Sequence, residues 1–133
     1  MTKGFTLGAF DFVHAGHVLL FKEAKKHCDW LIVGLHDDPS FERPQKHKPI
    51  MSVGERKIML EGCRYVDEIF IYHTEQDSLD WMLKNKDQVK LKFNGDDWVG
   101  REFTGKDLFE VIYVDRSHGY SSTNVRERIK NET

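Results

Sequence analysis

The sequence predicts an α/β domain, a three-layer α/β/α arrangement around a five-stranded parallel sheet. Three observations carry that expectation. Short apolar runs of strand length alternate with stretches of helical periodicity. One run, Trp30-Leu31-Ile32-Val33-Gly34-Leu35, is apolar throughout, the pattern of a strand covered on both faces. The chain has 133 residues, 39% of them hydrophobic, which suits one domain with a core large enough to need no covalent staples.

Phe5 to Phe10 reads as the first strand and ends in small residues. His17, Leu20, Phe21, Ala24 and Cys28 follow with the spacing of one helix face. The second strand is the apolar run at Trp30. Residues 37–51 contain all three prolines and no periodicity, so a long loop is expected, a length usually reserved for function. Ser52-Val53-Gly54-Glu55 has capping-box spacing, and a helix carrying Arg56, Ile58, Met59 and Cys63 should follow. Val66 to Tyr72 reads as a third strand. Asp77 or Ser78 is placed to cap a helix with Leu79, Met82 and Leu83 on its face. Val89 to Phe93 alternates as a fourth strand, and Glu110 to Val114 forms a fifth. Ser121 or Ser122 should cap a last helix with Val125 and Ile129 inward.

Composition excludes several classes. Lys plus Arg number 20 against 22 Asp plus Glu, a balance without the basic footprint of a nucleic-acid binder. No apolar run approaches a membrane span, and no secretory leader is expected at the start. Cys28 and Cys63 match no zinc or redox spacing and are expected in the core, which suits a reducing, cytoplasmic setting.

In a parallel sheet the ligand crevice lies beyond the carboxyl ends of the strands. After the first strand comes Gly8-Ala9-Phe10-Asp11-Phe12-Val13-His14-Ala15-Gly16-His17. Its small residues allow close backbone approach, and the helix it opens presents N–H groups and a positive dipole end to an anion. His14 and His17 lie one helical turn apart, placed to donate hydrogen bonds to a phosphate gaining charge in a transition state. An i, i+3 histidine pair can also ligate a metal or merely cap a helix. No third ligand has an obvious spacing here.

These residues, together with Arg116-Ser117-His118-Gly119-Tyr120-Ser121-Ser122-Thr123 at the start of the last helix, resemble the cytidylyltransferases of the HxGH nucleotidyltransferase superfamily. Gly54-Glu55-Arg56-Lys57, Tyr65-Val66-Asp67-Glu68-Ile69 and Gly95-Asp96-Asp97-Trp98 resemble the same family, so the likeness runs from about residue 5 to residue 129. The resemblance implies a Rossmann-like domain that transfers CMP from CTP to a small phosphorylated alcohol, with release of pyrophosphate. It implies catalytic roles for His14, His17 and Lys46. Nucleotide contacts are implied for Gly8, Ala9, Phe10, Asp11, Gly16, Asp97, Arg116, Ser117, Tyr120, Ser121, Ser122 and Thr123. Asp38, Lys46 and Trp98 are implied for the acceptor, and Asp11 for Mg²⁺.

Each assignment has a plain alternative. Lys48 competes with Lys46, Arg116 could form a surface ion pair, Asp38 a loop turn, and Trp98 could be core. Ala9, Ser117, Tyr120 and Ser122 depart modestly from the family pattern, and Lys48-Pro49-Ile50-Met51 resembles the choline- and ethanolamine-phosphate branch. The first expected acceptor is glycerol 3-phosphate. Ethanolamine phosphate, choline phosphate, an adenylyl donor in place of CTP, and an inactive nucleotide-binding regulatory module are the alternatives. A homodimer is implied by the family. His27, His36, His47, His73 and His118 have no motif support and are expected to be ordinary polar residues.

Overall fold

In the computed structural model, which describes residues 1–132, five parallel strands form one sheet. They are β1 (Lys3–Gly8), β2 (Trp30–His36), β3 (Glu68–Tyr72), β4 (Leu91–Gly95) and β5 (Glu110–Val114), in the order β3-β2-β1-β4-β5. Four helices connect or follow them: α1 (Ala15–Ala24), α2 (Val53–Glu61), α3 (Glu75–Asn85) and α4 (Ser122–Lys130).

Both sheet faces are covered, so alternating residues of one strand enter different cores. On one face Phe21 and Ala24 of α1 and Leu60 of α2 pack on Leu31, Val33, Leu35, Leu91 and Phe93. On the other, Met82 of α3 packs on Phe5, Ile32 and Val89, with Phe70, Trp81 and Phe109 around them. The expected three layers are therefore present, and β2 is buried from Leu31 to His36, as its apolar run requires.

The helix ends follow side-chain chemistry. His14 caps α1 and Ser52 caps α2, each in a reciprocal capping box. Thr74, rather than Asp77 or Ser78, caps α3: Asp77 is the third helical residue and closes the box, while Ser78 is buried inside the helix. Ser121 caps α4. Four of the apolar residues assigned to helices in the sequence face solvent: Ile58 is 68% exposed, Met59 45%, Leu83 46% and Ile129, expected inward, 62%. On α2 the inward stripe falls on Arg56 and Leu60. The first strand stops at Gly8, because Phe10 and Phe12 take left-handed backbone with φ of 46° and 36°.

The feature that positions the site is the switch between β1 and β4. These strands share only the pairs Gly4↔Leu91 and Phe5↔Lys92. Beyond them the strands part, and the Thr6 hydroxyl donates to the Phe93 carbonyl at 2.9 Å. The opening falls where the rule for parallel sheets puts a ligand crevice.

Candidate active site

Above that opening the first loop holds two imidazoles in fixed orientation. His14 Nδ1 accepts from the Gly16 amide at 3.0 Å, and His17 Nδ1 accepts from the His14 amide at 3.2 Å. With each Nδ1 occupied as an acceptor, the neutral rings carry their protons on Nε2. The rings stack with centroids 3.8 Å apart. Burial, then the neighbouring His14 and Arg116, push the His17 pKa down to about 3; burial first, then Arg116 and His118, lower that of His14. The pair is thus a set of two neutral Nε2–H donors at pH 7. The helix-capping alternative and the donor role are therefore compatible, since the caps use Nδ1 and leave Nε2.

The last helix meets this loop. His14 Nε2 lies 3.1 Å from Ser122 Oγ, across 108 residues of chain. Gly16 makes the approach possible: a Cβ there would stand 2.7 Å from the Tyr120 carbonyl oxygen and 2.9 Å from the His14 ring. The Ser121 hydroxyl takes the Asn124 amide, so the amides of Ser122 and Thr123 sit at an open helix end.

Two adjoining cavities open here. One, of about 330 Å³, is lined by His14, Gly16, Asp97, Arg116, Tyr120 and Ser121 among others. The second, of about 660 Å³, is lined by Gly8, Ala9, Phe10, Asp11, Lys46 and Arg126 among others. Leu7, His17, Asn94, Trp98, Ser122 and Thr123 line both, so His17 and the α4 start stand at the boundary, with His14 on the smaller cavity's side. Of the residues singled out in the sequence, Asp38 and Ser117 line neither cavity. Asp38 caps a short turn, Pro39–Phe41, by accepting from Ser40, and Ser117 is bonded through its amide and hydroxyl to Asp115. Arg116 pairs with Asp97 at 2.9 Å on the rim of the smaller cavity, both half exposed. Lys48 lines neither cavity and Lys46 lines the larger. Trp98 is half-buried and packs edge-on to Phe103 at 6.0 Å.

Asp11 is buried and ties the long loop down. Its two carboxylate oxygens accept from the amides of Ile50 and Met51 at 2.7 and 3.0 Å, with Arg126 at 3.5 Å. Arg56 completes the tie from α2. It is 2% exposed and donates to the carbonyls of Met51, Ala9, His36 and Asp37. The sequence places Arg56 on a helix, for the subunit interface or the site; its hold on four carbonyls is visible only in the fold. Its signal was the position four residues past the Ser52 cap and four before Leu60, on the one helix stripe that turns inward. Sequence reasoning also passed over Lys92 and Asn94 of β4, which line the larger cavity, and over His36 and His47 there. His36 stacks on Tyr72 at 4.6 Å and bonds the His73 carbonyl.

No cluster of three or more His, Cys, Asp or Glu suited to a metal occurs among the described residues. The site therefore offers no cage for a resident ion. Asp11 lines the larger cavity and retains lone pairs after its two amide bonds, which suits contact with a hydrated Mg²⁺ carried by a triphosphate.

Fold and site together define a parallel α/β domain with two adjoining cavities that meet at His17, beside the ring of His14 stacked on it. The chain belongs to the cytidylyltransferase-like family, whose model matches residues 5–128. It is 35% identical to glycerol-3-phosphate cytidylyltransferase of Bacillus subtilis, over 97% of this chain and 98% of that protein. It is 38% identical to the bifunctional protein HldE of Campylobacter concisus, over 95% of this chain but 26% of that one. Among solved structures, a lipopolysaccharide core biosynthesis protein of Thermoplasma volcanium shares the fold, with a TM-score of 0.66 and 24% identity over 86% of this chain and 95% of that one.

Proposed function

We propose that the protein transfers CMP from CTP to glycerol 3-phosphate, forming CDP-glycerol and pyrophosphate. The observation that carries this reading is the pair of cavities meeting at His17, Ser122 and Thr123. A two-substrate phosphoryl-group transfer needs that arrangement: nucleotide on one side, acceptor on the other, and the reacting phosphorus between them. The full-length match to the B. subtilis enzyme supports the choice of donor and acceptor.

The acceptor phosphate oxygen attacks the α-phosphorus, and the bond to the β-phosphate oxygen breaks. No covalent enzyme intermediate is required, so catalysis is positioning and charge stabilisation. The Nε2–H groups of His14 and His17 donate to the α-phosphate oxygens as their charge grows. The amides and hydroxyls of Ser122 and Thr123 take the leaving pyrophosphate end, and Lys46 adds a point charge from the loop. Gly16, Asp97, Arg116, Tyr120 and Ser121 surround the nucleotide in the smaller cavity, while Gly8, Ala9 and Phe10, from the larger one, approach its phosphates from the acceptor side. Asp38 and Ser117 are second-rank candidates, because both side chains are engaged locally. Asp11 is the carboxylate that would face a Mg²⁺ bound to the triphosphate, and such an ion would supply charge neutralisation there.

Assembly as a homodimer belongs to the same reading, supported by exposed Ile58 and Met59 on α2 and Ile71 on the edge strand β3. The free thiols of Cys28 and Cys63 suit a reducing, cytoplasmic setting. No helix among the described residues is long and apolar enough to cross a membrane.

The test is pyrophosphate release with CTP or ATP, Mg²⁺ and a panel of glycerol 3-phosphate, ethanolamine phosphate and choline phosphate. Release with CTP and glycerol 3-phosphate is expected. No release with any pair would leave an inactive nucleotide-binding module as the better reading. His14→Ala and His17→Ala should each lower kcat by about 10²–10³ while the fold is retained, the loss seen when one transition-state donor is removed.

A further inference from the structure

Lys92 is a lysine inside the protein without an anion of its own. It is 5% exposed, and its ammonium forms no hydrogen bond or ion pair among the described residues. Yet its side chain lines the larger cavity. An ammonium so withdrawn from water is normally paired or displaced by an apolar residue; no fully enclosed side-chain nitrogen among the described residues lacks a partner, so this one keeps some accessible surface. Its nearest compensation is the face of Phe103, 4.0 Å from the ring centroid. Glu75 faces the same cavity but is already engaged, by Arg43 at 3.5 Å and the Thr104 hydroxyl at 3.0 Å.

The depth of Lys92 says which part of a ligand it meets. It pairs with Phe5, the last rung before β1 and β4 part, three residues below Gly8. At about 3.3 Å per residue its backbone lies roughly 10 Å beneath the strand end that carries the first loop and the histidines. An acceptor whose phosphate reaches His17 would therefore direct its far end toward this ammonium. Asn94, two residues on and on the same side of β4, lines both cavities and adds amide groups above it.

We infer that Lys92 determines acceptor specificity, reading the end of the phospho-alcohol remote from the reacting phosphate as electron-rich, through hydroxyl or carboxylate oxygens, and rejecting a cationic end. The inference rests on the cytidylyltransferase reading above. The aromatic ring beside Lys92 is already taken: the Phe103 face that could receive a quaternary ammonium holds the protein's own cation. An ethanolamine or choline headgroup that reached this part of the cavity would meet a like charge.

Steady-state kinetics on the full chain test this with Lys92→Met and Lys92→Gln. Neither variant leaves a buried charge, so melting temperatures should match or exceed that of the parent. The KM for glycerol 3-phosphate should rise roughly 10- to 100-fold, the loss of a charge-assisted contact. The KM for CTP should stay within about twofold and kcat should change little. The preference for glycerol 3-phosphate over ethanolamine phosphate, as a ratio of kcat/KM, should fall by at least about tenfold. Gln should recover part of the affinity, since it still donates to an oxygen. An unchanged acceptor KM in an active variant overturns the assignment of Lys92 alone. So do equal rises in both KM values accompanied by a lower melting temperature, which would mark a structural role. A parent protein that releases no pyrophosphate with any acceptor overturns the cytidylyltransferase reading itself, and the inference falls with it.

Discussion

Replacing Arg56 by Met should loosen the site without touching any proposed substrate contact. The guanidinium bonds four carbonyls from three separate stretches: Ala9 after β1, His36 and Asp37 at the end of β2, and Met51 at the end of the long loop. Its bond to His36 is fully buried, at 2.7 Å. Loss of the donor strands that carbonyl, at about 1–3 kcal/mol, while the other three are partly reached by water and lose less. Relief of a buried charge and the apolar volume of Met offset part of the loss. The net destabilisation comes to about 3 kcal/mol. For a chain of this size that is roughly a 10 °C fall in melting temperature, read by circular dichroism. Arg56→Lys should recover less than half, because an ammonium cannot span the fork. The loop reports the effect locally. Pro44 and Pro49 follow Arg43 and Lys48, so trypsin within residues 43–49 is confined to the Lys46–His47 bond. Cleavage there should accelerate at least about tenfold in Arg56→Met, as local opening becomes easier. A variant that melts within about 2 °C of the parent and is cut no faster would refute the clamp.

Two further outcomes follow from the site. The His17 pKa in the folded protein, about 3, lies below the ordinary value of 6.5. Between these values the unfolded chain binds a proton that the folded chain does not, so stability falls as pH drops through that window. The loss by pH 5 is at most about 2 kcal/mol for this group. Urea titrations at pH 7 and pH 5 should show a smaller drop for His17→Gln; equal drops would remove His17 as the cause. Gly16→Ala should destabilise despite the better helix propensity of Ala, worth about 0.5–1 kcal/mol. The new Cβ would stand 2.7 Å from the Tyr120 carbonyl, and overpacking of that kind costs about 1–3 kcal/mol. The turn at 118–121 must retreat, so the KM for CTP should rise; a variant with parental stability and KM would show that the turn yields freely.

The elements were legible where periodicity and burial agree. β5 matches its apolar run residue for residue, and the Ser52 capping box is real. The meeting of the first loop with the start of α4 was legible too, because both segments lie just beyond strand ends. Legibility failed where a face was inferred from hydrophobicity alone. Ile58, Met59 and Ile129 face out although apolar, while Arg56 faces in although charged. Only the fold reveals four carbonyls converging on one point of α2, and carbonyls leave no mark in the sequence. Lys92 failed for a related reason. In Lys90-Leu91-Lys92-Phe93 it reads as the solvent side of an alternating strand, but in this sheet α3 and the segment before β5 cover that side.

α4 has a consequence of its own. None of its residues is buried, yet its first turn supplies Ser122 to the histidine pair. Little apolar packing fastens it, so its opening free energy belongs at the low end for this chain. Any ligand that takes up its free amides supplies the missing fastening, and an occupied nucleotide site thereby becomes a lock on the chain's C-terminal segment. The backbone amides of residues 122–130 would then be a built-in gauge of occupancy, exchanging with solvent fast in the free protein and slowly in the loaded one.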